Sequence, residues 1–269
     1  MPTARWTCSL PLWLFALIAA LLTASLCLYA GIHLHTAALN KSLERTVEKA
    51  LSEAVGELDL ILDQALSTLA TIEPLTGQGC SAPILATMRS ETDLRPYLRS
   101  AFIVHDDTRA CGTYFGLHTN RFNASAPRRD GLWLRASDSL APLASSLVYS
   151  LFRPPYTINT SVHGEAVARP LRRSGDTIDL LLQVGAMQLD EAAQVWESDQ
   201  TLALLMHRVH SSSRHDYAVH GGMPAQQREA VHQRELRSVL GSLLVAAGVV
   251  GGLVFTGLYN GRRRECVRH

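Results

Sequence analysis

The sequence predicts an α+β domain, built from antiparallel strands and a long helix, that lies between two membrane-spanning helices. Three observations predict this class. Two blocks of the 269-residue chain each hold about twenty consecutive residues without a charge, enough to cross a bilayer. The residues after the first block repeat apolar side chains every three or four positions, as one face of a helix does. Short apolar runs between turn-forming residues fill the remainder, as in an antiparallel sheet.

The two uncharged blocks run from Leu12 to Ile32 and from Val239 to Tyr259. At a rise of about 1.5 Å per residue, each helix spans a hydrocarbon core of about 30 Å. A cleaved signal peptide is the alternative for the first block. Its apolar core is longer than a signal peptide needs and no Ala-x-Ala cleavage site follows it, so we favour an uncleaved anchor.

The membrane orientation follows from the length of the loop between the two helices. Basic residues flank the helices on both sides, but a loop of about two hundred residues translocates largely regardless of charge. We therefore expect a cytoplasmic N-terminus at 1–11, transmembrane helices at 12–32 and 239–259, an external domain at 33–238 and a short basic cytoplasmic tail at 260–269.

A long helix follows the first membrane segment, from His33 to Glu73. Its apolar residues recur at spacings of three and four: Leu39, Leu43, Val47, Leu51, Ala54, Leu58, Ile61, Ala65, Leu69 and Ile72. Such a stripe packs either on the domain's own sheet or on the same helix of a second copy. We expect the outer half to pack on the domain and the half near the membrane to pair. Pro74 and the segment from Gly77 to Gly79 end the helix.

A short helix and a hairpin come next. Pro83 suits the first turn of a helix and Ser81 is its candidate cap; the residues expected to face inward are Ile84, Leu85, Met88 and Leu94. Ala101 to Val104 predicts a strand, His105 to Thr108 a turn, and Arg109 to Phe115 the returning strand.

The remaining strands are predicted from apolar runs between turn residues. They are Leu132 to Arg135, Ser146 to Phe152, Val162 to Arg169, Thr177 to Gly185, Thr201 to Val209 and Asp216 to Val219. Ala186 to Trp196 is predicted to be a short helix between two of them. The pattern indicates one antiparallel sheet with helices on one side, which in outline resembles a PAS or Cache domain.

Two cysteines stand apart from the other three. The chain has five cysteines, and only Cys80 and Cys111 fall between the membrane segments. If this region lies in an oxidising compartment, they have one possible pairing. Closing a loop of this length would stabilise the domain by about 3–4 kcal/mol. The pair can serve as a permanent staple or as a switch, and the residues themselves favour neither.

Most other chemistry has no signal in the sequence. A net charge of +1 and 18% charged residues argue against a nucleic-acid partner. No phosphate loop, nucleophile elbow or HExxH helix occurs, so we expect no catalytic residues, cofactor or metal. Asp106 and Asp107 are adjacent carboxylates in a predicted turn and are expected to be solvated.

Two groups of side chains leave alternatives open. A metal site can be imagined from His207, His210, His215 and His220. On a strand, however, His207 and His210 point to opposite faces, and a serine turn separates them from the other two. Six arginines form either a solvated face, which we favour, or the lining of an anion pocket: Arg95, Arg99, Arg109, Arg121, Arg128 and Arg129.

Small residues recur at four-residue steps in both membrane helices. They are Gly248 and Gly252 in the second helix and Ala16, Ala20 and Ala24 in the first. Small residues so spaced let helix backbones approach closely in lipid. Together with the long juxtamembrane helix they favour a homodimer embedded in membrane lipid.

The whole arrangement resembles the CSS-motif sensor domain, the periplasmic part of many bacterial cyclic di-GMP phosphodiesterases. The resemblance is carried by the two membrane helices, by Gly79 to Pro83 (GCSAP), by Pro96 to Arg99 (PYLR) leading into a strand, and by the hairpin to Cys111. In that family the second cysteine opens a Cys-Ser-Ser triplet. Here Gly112 and Thr113 replace the two serines, which puts the role of those hydroxyls in doubt and leaves the thiol pair intact.

The resemblance implies redox sensing at Cys80 and Cys111 in the periplasm, with thiol–disulfide oxidoreductases as partners and the bacterial inner membrane as location. Relatives carry a catalytic EAL domain after the second membrane helix. This chain has no Glu-Ala-Leu triplet and stops shortly after that helix, so we expect it to act through a partner, such as a full-length EAL phosphodiesterase. The alternative is a periplasmic small-molecule sensor for anions, with a purely structural disulfide.

Overall fold

A computed structural model of the chain describes residues 12–105, 109–114, 116–118, 129–136, 145–172, 178–197 and 204–268. The backbone divides into two compact units. A helical unit comprises the residues up to Glu44 together with those from Gln226 onward, and a sheet unit comprises Arg45 to Ala225. The division therefore falls inside the predicted external domain, 33–238, at both ends.

The helices are α1 (Leu12–Ile72), a 3-10 turn (Glu73–Leu75), α2 (Ala82–Asp93), α3 (Gly164–Arg172) and α4 (Ala225–Arg268). α1 continues without a break through the predicted membrane segment and the predicted juxtamembrane helix, because its interior has no proline and its glycines are isolated. In the part of the chain that the structure describes, α1 and α4 are long and apolar enough to cross a membrane.

The strands are β1 (Leu98–His105), β2 (Arg109–Gly112), β3 (Gly116–His118), β4 (Gly131–Arg135), β5 (Ser146–Arg153), β6 (Tyr156–His163), β7 (Asp179–Val184), β8 (Met187–Leu189), β9 (Val195–Glu197), β10 (Leu204–Ser211) and β11 (Ala218–Pro224). They form two sheets, in the orders β3-β2-β1-β6-β5-β4 and β10-β11-β7-β8-β9, and the pairings given for both are antiparallel. The α+β class is confirmed, but the strands are shared between two sheets where the sequence predicted one.

The main core lies where α1 packs on the sheets. Leu51 and Leu58 of α1 are fully buried in one cluster with Leu147 of the first sheet and Leu180 of the second. The stripe predicted for the outer half of α1 therefore packs on the domain itself, where it removes apolar surface from water. The expected pairing of the membrane-near half with a second copy stays a prediction.

Three local predictions were wrong. Val162 to Arg169 was predicted to be a strand, but β6 ends at His163 and α3 follows. Ala186 to Trp196 was predicted to be a helix, but it forms β8 and β9. Gly185 has a positive φ of 59° and Asp190 caps the next turn through its carboxylate; both features favour a strand meander over a helix. Leu94 was expected to face inward and is 73% exposed, because it lies at the end of α2.

Gly164 allows β6 to turn directly into α3. A Cβ at this position would lie 2.3 Å from Oγ and 2.7 Å from the backbone oxygen of Ser145. That oxygen accepts the hydrogen bond from the Gly164 amide, and the Ser145 hydroxyl donates to the carbonyl of Ala193. Ser145 is therefore held in place and cannot give way to a methyl group.

We expect Gly164→Ala to lower the free energy of unfolding by about 1–3 kcal/mol, the usual cost of overpacking a core. Gly56→Ala is the matched control, because the Cβ of that helical residue would meet nothing within 4 Å and alanine should stabilise α1 by up to about 1 kcal/mol. Urea unfolding of the full chain in detergent measures both. Equal stability of the two variants would contradict the assignment of Gly164.

Within the helical unit, α1 and α4 meet through small residues. A Cβ at Gly251 would lie 3.0 Å from the backbone oxygen of Ala20 and 3.2 Å from Cβ of Ala24, and Ala16 and Ala247 are buried. The predicted alanine steps of α1 are thus in contact with α4.

Gly248 and Gly252 do not make this contact. A Cβ at either residue would meet nothing within 4 Å. The partner of the α1 alanines is the face of Ala247 and Gly251, one residue earlier along the helix, and one residue corresponds to a rotation of about 100°. The expectation that Gly248 and Gly252 pack against another helix stays a prediction for a second copy.

Candidate functional site

Cys80 and Cys111 form a disulfide, with Cα atoms 5.5 Å apart. Cys80 lies in the loop between the 3-10 turn and α2, and Cys111 lies on β2. The elements come together because α2 packs on β1 and β2. The bond therefore joins the start of a helix to the return strand of a hairpin.

The disulfide belongs to a small apolar cluster distinct from the main core. Its fully buried members are Leu69 and Ile72 at the end of α1, Met88 of α2, Ala101 of β1 and Ile158 of β6. Cys111 is buried in this cluster with 8% exposure, whereas Cys80 is only partly buried against it. The end of α1 and the disulfide therefore share one packed environment.

The residues that flank the cysteines tie the same elements together. The carbonyl of Thr113 accepts a hydrogen bond from Nε of Arg89 on α2 at 3.0 Å, and the Thr113 hydroxyl accepts one from the amide of Ala101 at 3.2 Å. A Cβ at Gly112 would lie 3.2 Å from Cβ of Phe102. The Thr113 hydroxyl thus has a structural role, and Gly112 allows a close approach to β1.

Ser81 lies at the cap position of α2, with extended backbone, but its side chain makes no cap hydrogen bond. It is exposed, as are Gln78, Gly79, Ala82 and Pro83. The loop around Cys80 is therefore open to solvent on both sides of the cysteine.

A second cluster, which is polar, clamps α1 to the turn between β10 and β11. The Asp59 carboxylate, on α1, accepts hydrogen bonds from the Tyr217 hydroxyl at 2.6 Å and the Ser212 hydroxyl at 2.7 Å. One turn further on, Asp63 pairs with Arg214 and lies 3.2 Å from Nε2 of His215. Burial and the Asp59 carboxylate both raise the pKa of Tyr217. The cluster fixes α1 to the second sheet, as the disulfide cluster fixes it to the first.

Sequence reasoning missed this clamp. Neither Asp59 nor Asp63 was singled out from the sequence. The available signal was the position of Asp59 directly beside Leu58, on the apolar face, where a carboxylate needs buried partners. The sequence could not name those partners, because Tyr217 lies 158 residues away.

The four histidines considered as a metal site fall in three environments. Nε2 of His207 lies 3.0 Å from Nδ1 of His220 and the two rings stack. His210 lies 3.7 Å from Glu48, and His215 faces Asp63. Among the described residues no three potential metal ligands lie together.

The pair of His207 and His220 predicts acid sensitivity. Burial and, second, the neighbouring His207 lower the pKa of His220. The folded state therefore binds a proton at His220 less readily than the unfolded chain. Stability should then fall as the pH drops from about 6.5, the ordinary histidine value, toward the lower folded pKa.

We expect His207→Gln to reduce this loss of stability, because it removes the neighbouring imidazole that lowers the pKa of His220. Urea unfolding between about pH 7 and 5 measures it, and the difference between variant and wild type isolates the pair from other titrating groups. His163 is another histidine whose pKa is lowered, by burial and by Arg99. Its contribution to the pH slope should be the same in His207→Gln and in the wild type. An unchanged pH slope in His207→Gln would contradict the prediction.

A groove of about 780 Å³ opens beside α3. It is lined by Pro96, Tyr97, His163, Glu165, Ala166, Arg169 and Arg172. Arg172 forms an ion pair with Glu165. The remaining cationic side chain, Arg169, makes the lining more attractive to an anion than to a cation.

Of the six arginines considered in the sequence, the three whose side chains the structure describes, Arg95, Arg99 and Arg129, do not line this groove. Arg95 pairs with Glu91 of α2 at 2.6 Å, and Arg99 acts on His163 electrostatically. Arg129 is exposed. Arg121, Arg128, the side chain of Arg109 and the carboxylates Asp106 and Asp107 lie outside the described residues.

A family model matches residues 43–236, and its description is the CSS motif domain associated with EAL. The match includes the disulfide, the Asp59 clamp and the groove beside α3. No curated protein matches the chain in sequence.

Solved structures of external sensory domains share part of the shape. An extracellular ligand-binding receptor from Desulfohalobium retbaense has 9% identity and a TM-score of 0.46, with 66% of this chain covering 40% of that one. The extracellular domain of a protein described as a histidine kinase, rpHK1S-Z16, has 13% identity and a TM-score of 0.46 over 71% and 98% of the two chains. The sensory domain of the Campylobacter jejuni chemoreceptor Tlp3 has 6% identity and a TM-score of 0.46 over 72% and 98%. Similarities this low carry no inference about ligands.

Proposed function

Because the chain belongs to the family of CSS-motif domains associated with EAL, we propose that it is a membrane-anchored redox sensor whose external domain reads thiol–disulfide state at Cys80 and Cys111. Its location is the bacterial inner membrane, with the sheet unit in the periplasm. The observation that carries the proposal is the shared environment of the disulfide and the end of α1, in one apolar cluster.

The proposed signal starts with the loss of the bond. Reduction removes the covalent link between the start of α2 and β2, and the Arg89 to Thr113 hydrogen bond and apolar packing remain between these elements. The cluster that contains Leu69 and Ile72 then loosens. Since α1 is one helix from Leu12 to Ile72, a change at its end acts on the same helix that is proposed to enter the membrane.

The test is the reduction potential of the pair in the full chain, measured by thiol trapping across a series of glutathione ratios. We expect a value between about −250 and −120 mV, the range of exchangeable dithiols. A value below about −300 mV is typical of a structural disulfide and would overturn the redox proposal.

The output is proposed to pass to a partner that carries the catalytic domain. Cells that contain a full-length EAL phosphodiesterase provide the readout, as cyclic di-GMP content with and without this chain. The expected effect depends on the pair, so Cys80→Ser with Cys111→Ser should remove it. Co-purification from membranes tests the complex. Recovery of the chain with nothing but copies of itself would contradict the complex with a catalytic partner and would be compatible only with the homodimer.

A second candidate function is supported by the groove beside α3. Arg169 and His163, with the Tyr97 ring, could hold a small carboxylate, and the disulfide would then be structural. Succinate is a suitable probe. A succinate-dependent rise in the melting temperature of the wild type that is absent in Arg169→Ala would favour anion sensing, and no rise in either would remove it.

A further inference from the structure

The two sulfur atoms of the disulfide differ in their surroundings. Cys111 is 8% exposed and lies on β2, whose backbone is paired on one side with Ile103 of β1 and on the other with Leu117 of β3. Its cluster contains fully buried side chains of α1, α2 and β6. Cys80 is partly buried in a loop whose neighbours on both sides are exposed.

This asymmetry limits how the bond can be exchanged. A thiolate displaces one sulfur of a disulfide by approaching the other along the S–S axis, so the attacked sulfur needs free space on its far side. Cys80 is the more accessible of the two cysteines, because it is only partly buried and its neighbours in the loop are exposed. At Cys111 the incoming group would have to enter the packed cluster that contains Leu69, Ile72 and Met88.

The start of α2 favours the same cysteine. Cys80 directly precedes Ser81, which caps α2 without a side-chain hydrogen bond, and Pro83 supplies no backbone N–H in the first turn. The positive end of the helix dipole is therefore not neutralised by a side-chain cap, and it favours negative charge at the residues that begin the helix.

We propose that Cys80 is the partner-facing sulfur and that Cys111 is the resolving one. Oxidation starts when the Cys80 thiolate attacks a disulfide of the partner, which forms a Cys80–partner mixed disulfide and releases one partner thiolate. The Cys111 thiolate then attacks Sγ of Cys80, closes the bond and releases the second partner thiolate. Two electrons pass from the cysteine pair to the partner disulfide, and reduction follows the same steps in reverse.

The assignment rests on the proposed redox function and names its partner as a thiol–disulfide oxidoreductase that docks at the Cys80 loop. Its first test needs no substitution. The full chain in detergent is reduced, exposed briefly to oxidised glutathione, blocked with N-ethylmaleimide and digested with trypsin. Arg89 and Arg109 separate the two cysteines in the digest, so mass spectrometry locates the glutathione. We expect it on Cys80 in at least about tenfold excess.

Two matched variants provide the second test. Cys111→Ala and Cys80→Ala both remove the disulfide, so any loss of stability from the missing bond is common to them. Glutathione adduct should form at least about tenfold faster in Cys111→Ala than in Cys80→Ala. A mixed disulfide with the cell's own oxidoreductases should accumulate only in Cys111→Ala.

Glutathione predominantly on Cys111, or equal rates in the two variants, would overturn the assignment. These readouts differ from those of the redox proposal. A disulfide that is too stable to be reduced in the cell would contradict the redox proposal. The position of the glutathione during oxidation would still decide whether Cys80 or Cys111 faces the partner.

Discussion

Replacing Cys80 and Cys111 together with alanine should lower the free energy of unfolding of the sheet unit by about 3–4 kcal/mol. The two cysteines are 31 residues apart in sequence. Opening a loop of that size increases the conformational entropy of the unfolded chain, which stabilises the unfolded state by about 3–4 kcal/mol. A loss of this size is a large fraction of the usual stability of a domain, about 5–15 kcal/mol. Urea unfolding of the full chain in detergent, followed by tryptophan fluorescence, measures it.

The chain supplies a control for this substitution. Cys27 is a free, exposed cysteine in the helical unit, and Cys27→Ala should leave the stability of the sheet unit unchanged. Wild type unfolded in the presence of a strong reductant should approach the double variant. A double variant as stable as Cys27→Ala would show that the bond adds little to the fold, and the proposed signal would lose its physical basis.

Removing the Asp59 carboxylate should lower the free energy of unfolding by about 2–4 kcal/mol, because it takes the charged acceptor from two hydroxyl donors, of which Tyr217 is buried and Ser212 is partly buried. Asp59 is 8% exposed and accepts from Tyr217 and Ser212. Both hydroxyls donate to the same oxygen, Oδ1, so in Asp59→Asn an uncharged amide oxygen can still accept both bonds, and we expect a smaller loss than in Asp59→Ala.

Glu53→Ala is the matched control on the same helix. Glu53 pairs with Lys49 at 3.7 Å, and both side chains are largely exposed, so its removal should change the stability by no more than about 0.5 kcal/mol. A double-mutant cycle with Tyr217→Phe then measures how far Asp59 acts through that hydroxyl. Equal losses in Asp59→Ala and Glu53→Ala would contradict the clamp.

The disulfide cluster and the Asp59 clamp hold α1 at two different positions along its length. The disulfide cluster attaches α1 to the first sheet, and the Asp59 clamp attaches it to the second. Leu69 and Ile72 lie in the disulfide cluster, while Asp59 and Asp63 bind the turn between β10 and β11. Loosening of the disulfide cluster would therefore leave the Asp59 clamp in place.

The sequence determined the features that depend on local periodicity and on counting. The apolar stripe of α1, with Leu51, Leu58 and Leu69 at helical spacing, occurs where it was predicted, because one repeat is enough to define a helical face. The pairing of Cys80 with Cys111 followed from their being the two cysteines between the apolar segments. The β1 to β2 hairpin followed from short apolar runs around a turn.

The tertiary structure decided how those elements are combined. At the point where β6 turns into α3, Gly164 approaches Ser145 closely, and no local pattern encodes that contact. The division of the strands into two sheets and the partners of Asp59 depend on residues far apart in sequence. Local propensities differ by fractions of a kcal/mol per residue, whereas these buried contacts contribute several together, so the long-range contacts decide wherever the two disagree.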